Sequence, residues 1–385
     1  MKYPLTRKTL SYLLISGLTL TMAACDNDTK QAESFDPQET FRYDTFGDEA
    51  FWTDVLRWNE VVAGISPETA LSVGLKVDSE ALPPGLLAAA DLTDPATTVE
   101  LLRLDAIVGV KAEVAADGSV TKFGVTCALC HSTVDDSVAP GIGKRLDGWP
   151  ARDLDPGLII SLSPFFDDKP QQRAVYQSWG PGKFDPYFNM DGINDPAMIA
   201  PAWGLKDVAL ETFTGEGPVS YWNNYIAVTQ MGGQGNFKSD DLNLNIQATP
   251  DLVIPKLPAL LAYQNSFEPP SPPSGSFDSA AALRGKVLFE GKATCAGCHS
   301  GEQFTDASIT LHDAHETGSD PLYATRGTTK QYRTTPLKGV WQHPPYFHNG
   351  AHATLADVVD HYDIVLGTGL FDDEKTDLVE YLKSL

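Results

Sequence analysis

Two short runs, Cys127-Ala-Leu-Cys130-His131 and Cys295-Ala-Gly-Cys298-His299, have the residue types and spacing that point most directly to chemistry in this 385-residue chain. Two thiols three positions apart can each add to a vinyl group of a porphyrin. The histidine that follows at once is then held under the iron as its proximal ligand. Each run therefore predicts one covalently attached haem c, two in all, with His131 and His299 on the irons. The competing chemistry is a zinc ion held by four thiolates. The histidine after each pair, the 168 positions between the pairs and the export leader described below count against it. No βαβ pattern surrounds either run, which disfavours a thioredoxin-like redox pair.

Counting the remaining ligand types makes the two runs unequal. The chain has eight histidines, and His131 is the only one before residue 299. The sixth position of the first iron is thus left to a methionine, to a residue of the other half, or to a small molecule at an open iron. Met190 lies 59 positions after His131, with Met198 and Met231 as alternatives. The second half has no methionine after Met231 but several histidines and tyrosines. His/Tyr or His/His ligation there would give a lower potential than His/Met, because a thioether favours ferrous iron. The first iron is the candidate for reactivity and the second for electron relay.

The first residues carry a different instruction. Lys2, Arg7 and Lys8 precede an apolar stretch from Leu10 to Met22, then Ala23, Ala24 and Cys25. The apolar run falls short of the roughly 20 residues a bilayer core requires, so it predicts a secretory signal. Met22-Ala-Ala-Cys25 is also similar to a lipobox, which places the chain on the periplasmic side of a bacterial membrane, anchored only through a lipid on Cys25. The alternative is cleavage after Ala24 with a free thiol. Without the leader, 25 basic residues face 51 acidic ones, a net charge of about −26. That balance argues against nucleic acid and against anionic lipid surfaces. It suits a basic or neutral redox protein as partner, or simply a soluble surface.

The elements that must position these residues read as mainly α: two cytochrome c-like domains with long loops, each enclosing one haem. Apolar residues recurring every three to four positions predict helices at 50–64, 97–110, 278–290, 355–365 and 372–385. The run Glu268-Pro-Pro-Ser-Pro-Pro-Ser-Gly-Ser276 rules out helix and sheet interior. The expected organisation is a lipoprotein signal at 1–24, a tether at 25–35, a first domain at 36–267, a linker at 268–277 and a second domain at 278–385. A weak echo supports related halves: Gly204-Leu-Lys-Asp-Val208 with Phe213-Thr-Gly215, against Leu337-Lys-Gly-Val340 with Phe347-His-Asn-Gly350.

Leu283-Arg-Gly-Lys-Val-Leu-Phe289, Tyr332-Arg-Thr-Thr-Pro-Leu-Lys-Gly-Val340, Pro344-Pro-Tyr-Phe-His-Asn-Gly350 and Ala353-Thr-Leu-Ala-Asp-Val-Val-Asp-His-Tyr362 resemble the C-terminal domain of the bacterial di-haem cytochrome c peroxidases. The resemblance implies an N-terminal haem that meets peroxide and a C-terminal haem that feeds it electrons. The family's distal methionine falls at Tyr362, where a tyrosine is similar to the related enzyme that matures tryptophan tryptophylquinone. Tyr362 is thus the first candidate for the distal ligand of the second haem and His361 the alternative. The family run that helps hold an interdomain calcium reads Arg333-Thr334-Thr335-Pro336 here, and the displaced proline counts against calcium. In the first half, Gly124–His131, Gly141–Trp149 and Tyr221–Met231 resemble the branch with the haem-containing rubber oxygenases.

Peroxide cleavage needs a group that moves a proton between the two oxygens. Glu211 and Glu216 are candidates, set against the plainer reading of surface carboxylates. Asn223, Asn224 and Gln230 could donate hydrogen bonds to bound dioxygen or peroxide but cannot act as acids. His343, His348 and His352 are expected to pack near the second haem, and Trp203, Trp222 and Trp341 to fill the core or relay electrons. Two functions follow: an oxidoreductase whose first haem reacts with peroxide or dioxygen, or a carrier in which both irons are six-coordinate and only electrons move. A tethered redox or gas sensor is a third.

Overall fold

The computed structural model describes residues 34–385. The leader, Cys25 and all but the last two residues of the expected tether lie outside the described residues. No helix among the described residues is long and apolar enough to cross a membrane. Residues 35–385 form one compact unit in which helices predominate and strands occur as five two-stranded ladders.

Two expected helices break where the backbone needs a left-handed residue. The segment expected as one helix at 50–64 is a π-helical turn, Ala50–Val55, and a short α-helix, Trp58–Val62, with Arg57 at φ 58° between them. The reason lies in the spacing of its buried residues. Trp52, Leu56, Trp58 and Val62 are all buried, and on one straight helix they would spread over about 160° of its circumference, wider than a usual apolar stripe. The break lets Trp58 stack on Phe123 at 5.5 Å while Trp52 tilts against the same ring.

The helix expected at 97–110 is α1, Pro95–Arg103. Asp94 caps it by accepting from the Ala96 amide at 2.9 Å, and Pro95 in the first turn loses no bond. It ends because Asp105 and Gly109 both take positive φ. A side chain at Gly109 would also run into the backbone of Leu129. The β-branched residues that continue the apolar pattern form a hairpin instead. Strand β1, Val110–Val114, pairs antiparallel with β2, Val120–Val125, so that Val110 faces Val125. Strand β2 delivers the chain to the single helical turn α2, Ala128–His131, which carries the first motif. Beyond it, β3, Ser132–Val134, pairs with β4, Arg145–Asp147, and leads back past the motif.

The first half continues through α3, Val219–Thr229, and α4, Leu257–Gln264. Residues 267–273 then have no regular structure, as their prolines require. Three helices expected in the second half form as α5, Ser279–Glu290, α6, Leu355–Leu366, and α7, Asp372–Lys383. Asp278 caps α5 through the Ala280 and Ala281 amides, and Thr354 with Asp357 forms a capping box on α6. Helices α5 and α7 cross at Gly285, where an added Cβ would lie 2.0 Å from the Asp377 carbonyl oxygen. Only glycine permits that approach.

Two buried clusters result. One runs through the first half from Phe41 to Leu260 and takes in Tyr323, Ala324 and Tyr332 from the second. The other gathers Phe289, Val340, Leu355, Val359, Leu378 and Leu382 beside the second motif. The internal echo is visible in the backbone, since Asp207 at φ 65° and Gly339 at φ 72° stand at matching places in the two Leu-Lys-x-Val runs.

Candidate haem centres

The second motif opens onto a cavity of about 450 Å³. Cys295, Cys298 and His299 line it on one side, and Tyr362 of α6, Phe347 and Leu382 of α7 contribute elsewhere. Its wall is predominantly apolar, as a porphyrin face requires. The His299 ring is turned by a hydrogen bond between Nδ1 and the Phe304 carbonyl, at 3.0 Å, which leaves Nε2 free. Burial lowers the pKa of this histidine, so the ring is a neutral imidazole fit to bind a metal.

Tyr362 reaches this cavity and His361 does not. Tyr362 stacks on Phe347 at 5.7 Å and lies close enough to both motif thiols to feel them. Its hydroxyl is pushed up to about 12 by burial. The His361 ring instead points Nε2 at the Thr317 carbonyl, 2.8 Å away, and packs against His352. The sulfur of Cys298 also comes within 4.8 Å of donor atoms of Asp306 and His312. The Cys-x-x-Cys-His spacing favours a porphyrin over a metal ion for that sulfur.

The first motif is built the same way. His131 Nδ1 meets the Ala200 carbonyl at 3.1 Å, and burial again lowers its pKa. The motif is gripped by the chain that passes it twice: the Gly148 amide donates to the His131 carbonyl and the Ala151 amide to that of Cys130. The methionines offered as sixth ligands sit in packed surroundings. Met190 Sδ lies 3.7 Å from the Tyr225 hydroxyl, which donates to the Pro186 carbonyl at 2.6 Å, Met198 packs on Gly350, and Met231 is buried in the core of the first half.

Between the motifs stands a pair of indoles. Trp149 follows Gly148, and its ring meets Trp203 edge to face at 5.6 Å. Trp203 is buried and lines the second cavity, its Nε1 donating to the Lys338 carbonyl at 3.0 Å. Trp341 instead donates to the Pro270 carbonyl of the linker, and Trp222 stacks on Tyr225 in the first core.

The candidate acid groups separate sharply. Glu211 is not a surface carboxylate: it is 2% exposed and pairs with Arg333, which lines the cavity. Burial pushes its carboxyl up to about 7 against the pull of Arg333. Glu216 accepts from the Tyr187 hydroxyl at 2.7 Å and from the Thr328 amide. The three amides are spoken for by packing. Asn223 bonds Gln264 at 2.7 Å, Asn224 donates to the Asn236 carbonyl and Gln230 to Asn189.

Of the expected histidines, His343 and His348 are buried and line the cavity. Burial drives them down to about 3 and about 4. His348 lies between the rings of Tyr323 and Tyr332, while His352 packs on Phe347. Sequence reasoning missed Arg152. It belongs to the first half, 21 positions past His131, yet it lines the cavity of the second motif. Two of its guanidinium nitrogens are buried without a hydrogen-bond partner. Porphyrins carry carboxylates, so a half-buried cation without a carboxylate partner, beside an apolar cavity and two thiols, fits a covalently bound haem.

Comparison with known proteins agrees with this chemistry. Residues 331–363 match the model of the "RoxA-like, cytochrome c-like" family. That match falls in the second half, whereas the likeness to rubber oxygenases was expected in the first. A cytochrome-c peroxidase, IdrP1, of Denitromonas iodatirespirans is 30% identical over 28% of this chain and 40% of its own. The methylamine utilization protein MauG of Methylorubrum extorquens is 39% identical over 22% of this chain and 25% of its own. The hydrazine synthase gamma subunit of Kuenenia stuttgartiensis is 29% identical over 34% and 49%. The chain thus spans between a quarter and a half of the length of these relatives. Taken with the motifs, these matches support the di-haem cytochrome c peroxidase-like superfamily for this chain.

Proposed function

We propose that this protein is a di-haem c-type cytochrome oxidoreductase, peroxidase-like in plan, in which the iron at His131 meets peroxide or dioxygen and the iron at His299 relays electrons from an outside redox protein. The observation that carries the reading is the shared setting of the two motif histidines. Each is neutral and fixed through Nδ1 to a main-chain carbonyl, of Ala200 or of Phe304, so that Nε2 is the free ligand atom. Such an outer hydrogen bond sets the tautomer and ring angle a metal needs. Bound at these places, haem supplies iron that exchanges electrons and, with its sixth position open, takes up a small oxidant.

The chain's own residues divide the work. Cys127, Cys130, Cys295 and Cys298 tether the two groups. Tyr362, which lines the same cavity as His299, would offer a phenolic oxygen to a haem iron held there and so favour a low potential, suited to giving electrons away. Trp203, buried between the motifs, shortens the path along which electrons pass. Glu211, with its raised pKa, is the buried group best able to hold or release a proton near neutral pH. We place the protein, by its leader, on the periplasmic side of a bacterial membrane with Cys25 lipidated. Calcium has no part in this reading.

The test is the haem content and spin state of the purified protein. Two haems per chain, one high-spin and one low-spin in the ferric state, are expected, with faster oxidation of the reduced protein on adding hydrogen peroxide. Two low-spin haems in both redox states, inert to peroxide, would leave only a carrier of electrons.

A further inference from the structure

Arg152 is a half-buried cation with no anion beside it. Arg145 sits against Asp78 at 3.1 Å, Arg326 against Asp185 at 2.8 Å, and Arg333 against Glu211. Among the described residues Arg152 has no carboxylate partner; its one side-chain hydrogen bond runs from Nη2 to His343 Nδ1 at 3.4 Å. His343 is neutral and cannot balance the charge. Nε and Nη1 are buried with nothing to donate to. A guanidinium with two occluded nitrogens and no counter-charge is unfavourable unless an anion comes to it. The residue lines the cavity that holds Cys295, Cys298 and His299, and a carboxylate bound there would supply the missing counter-charge.

We propose that Arg152, supplied by the first half of the chain, binds a propionate of the haem tethered in the second half. This rests on the reading that Cys295 and Cys298 carry a haem. The consequence is a bond across the two halves that exists only when the second haem is in place. The cation also stabilises the electron-rich, ferrous state of that haem by Coulomb attraction, so it holds the potential higher than Tyr362 ligation alone would set it. Arg152 is a positioning residue: it touches the porphyrin edge and not the reacting atoms. A free carboxylate substrate would satisfy the same guanidinium, and the experiment separates the two sources.

Holoprotein bearing Arg152→Met or Arg152→Lys is compared with the wild type after a haem count. Potentiometric titration followed at each haem's optical bands is expected to show the haem at His299 shifted to lower potential, more by Met than by Lys, with the haem at His131 moved less. The propionate bending bands in resonance Raman spectra should shift in the same order. Sodium formate or benzoate added to the wild type should leave both spectra unchanged. An unshifted potential in Arg152→Met with both haems present overturns the assignment. So does a spectral response to formate or benzoate in the wild type that Arg152→Met abolishes, for that marks a free-anion subsite. A wild type with no haem on Cys295 and Cys298 overturns the underlying reading itself.

Discussion

Replacing Arg333 by methionine should destabilise the folded protein in a way that depends on pH, and the structure sets both size and sign. Glu211 and Arg333 have side chains 3% and 5% exposed, and each carries a further buried atom with no partner, Oε1 and Nε. Methionine keeps much of the volume but leaves the carboxylate unpaired, and removing one member of a buried pair costs about 3–5 kcal/mol. The variant can escape part of that cost by protonating Glu211, whose carboxyl burial already pushes up to about 7. With Arg333 gone, the folded-state pKa rises further above its unfolded value. Folded protein then holds a proton that unfolded protein has lost, so stability falls as pH rises. Near pH 6 the carboxyl is largely protonated in either protein and the deficit is small. Above pH 7 the deficit should grow by about 1.4 kcal/mol per pH unit until the unpaired-charge cost is reached. Urea denaturation of holoprotein, followed by circular dichroism at pH 6, 7 and 8, measures it. Adding Glu211→Leu to Arg333→Met should restore most of the loss. A deficit under about 1 kcal/mol that is the same at all three pH values would refute the buried-pair reasoning.

Tyr362→Phe should change the optical and electron paramagnetic resonance spectra of the haem at His299 alone; an unaltered spectrum would remove Tyr362 as its ligand. Gly285→Ala places a methyl group 2.0 Å from the Asp377 carbonyl, so α5 and α7 must part, and the loss should be about 3 kcal/mol on thermal or urea unfolding. A neutral result would mean the two helices do not cross as described. His343 and His348, held down to about 3 and about 4, stay neutral in the fold while the unfolded chain takes up protons below pH 6.5. Stability should therefore fall as pH drops from about 6.5 towards 4, by up to about 1.4 kcal/mol per unit for each ring. Melting temperatures that stay flat from pH 6.5 to 4.5 would contradict it.

The parts legible in the sequence are those written in a few adjacent residues. The two Cys-x-x-Cys-His runs, the capped helices α5 and α6, and the proline-rich crossing at 267–273 need only local chemistry to be recognised. Tyr362 was legible through its place in a resemblance, and its spacing on α6 carries it to the cavity. What escaped depends on chain brought together from afar. The carbonyls of Ala200 and Phe304 that fix the proximal rings are main-chain groups that any residue could supply. Glu211 looked like a surface carboxylate because its partner, Arg333, is 122 positions away. Arg152 stands in no motif, and the cavity it lines belongs to the other half. The helix expected at 97–110 failed for a local reason. Asp105 and Gly109 were stop signals, and the β-branched Ile107, Val108 and Val110 mimic a helical stripe only in their spacing.

The claim that the two irons are unequal is tested most directly by carbon monoxide binding to reduced protein in which one motif at a time is disarmed. With Cys295 and Cys298 replaced by alanine, the remaining haem at His131 should still bind carbon monoxide stoichiometrically. With Cys127 and Cys130 replaced, the remaining haem at His299 should bind none while Tyr362 is intact. Carbon monoxide binding confined to the haem at His299, or equal at both, would contradict the assignment of the first centre as the reactive one.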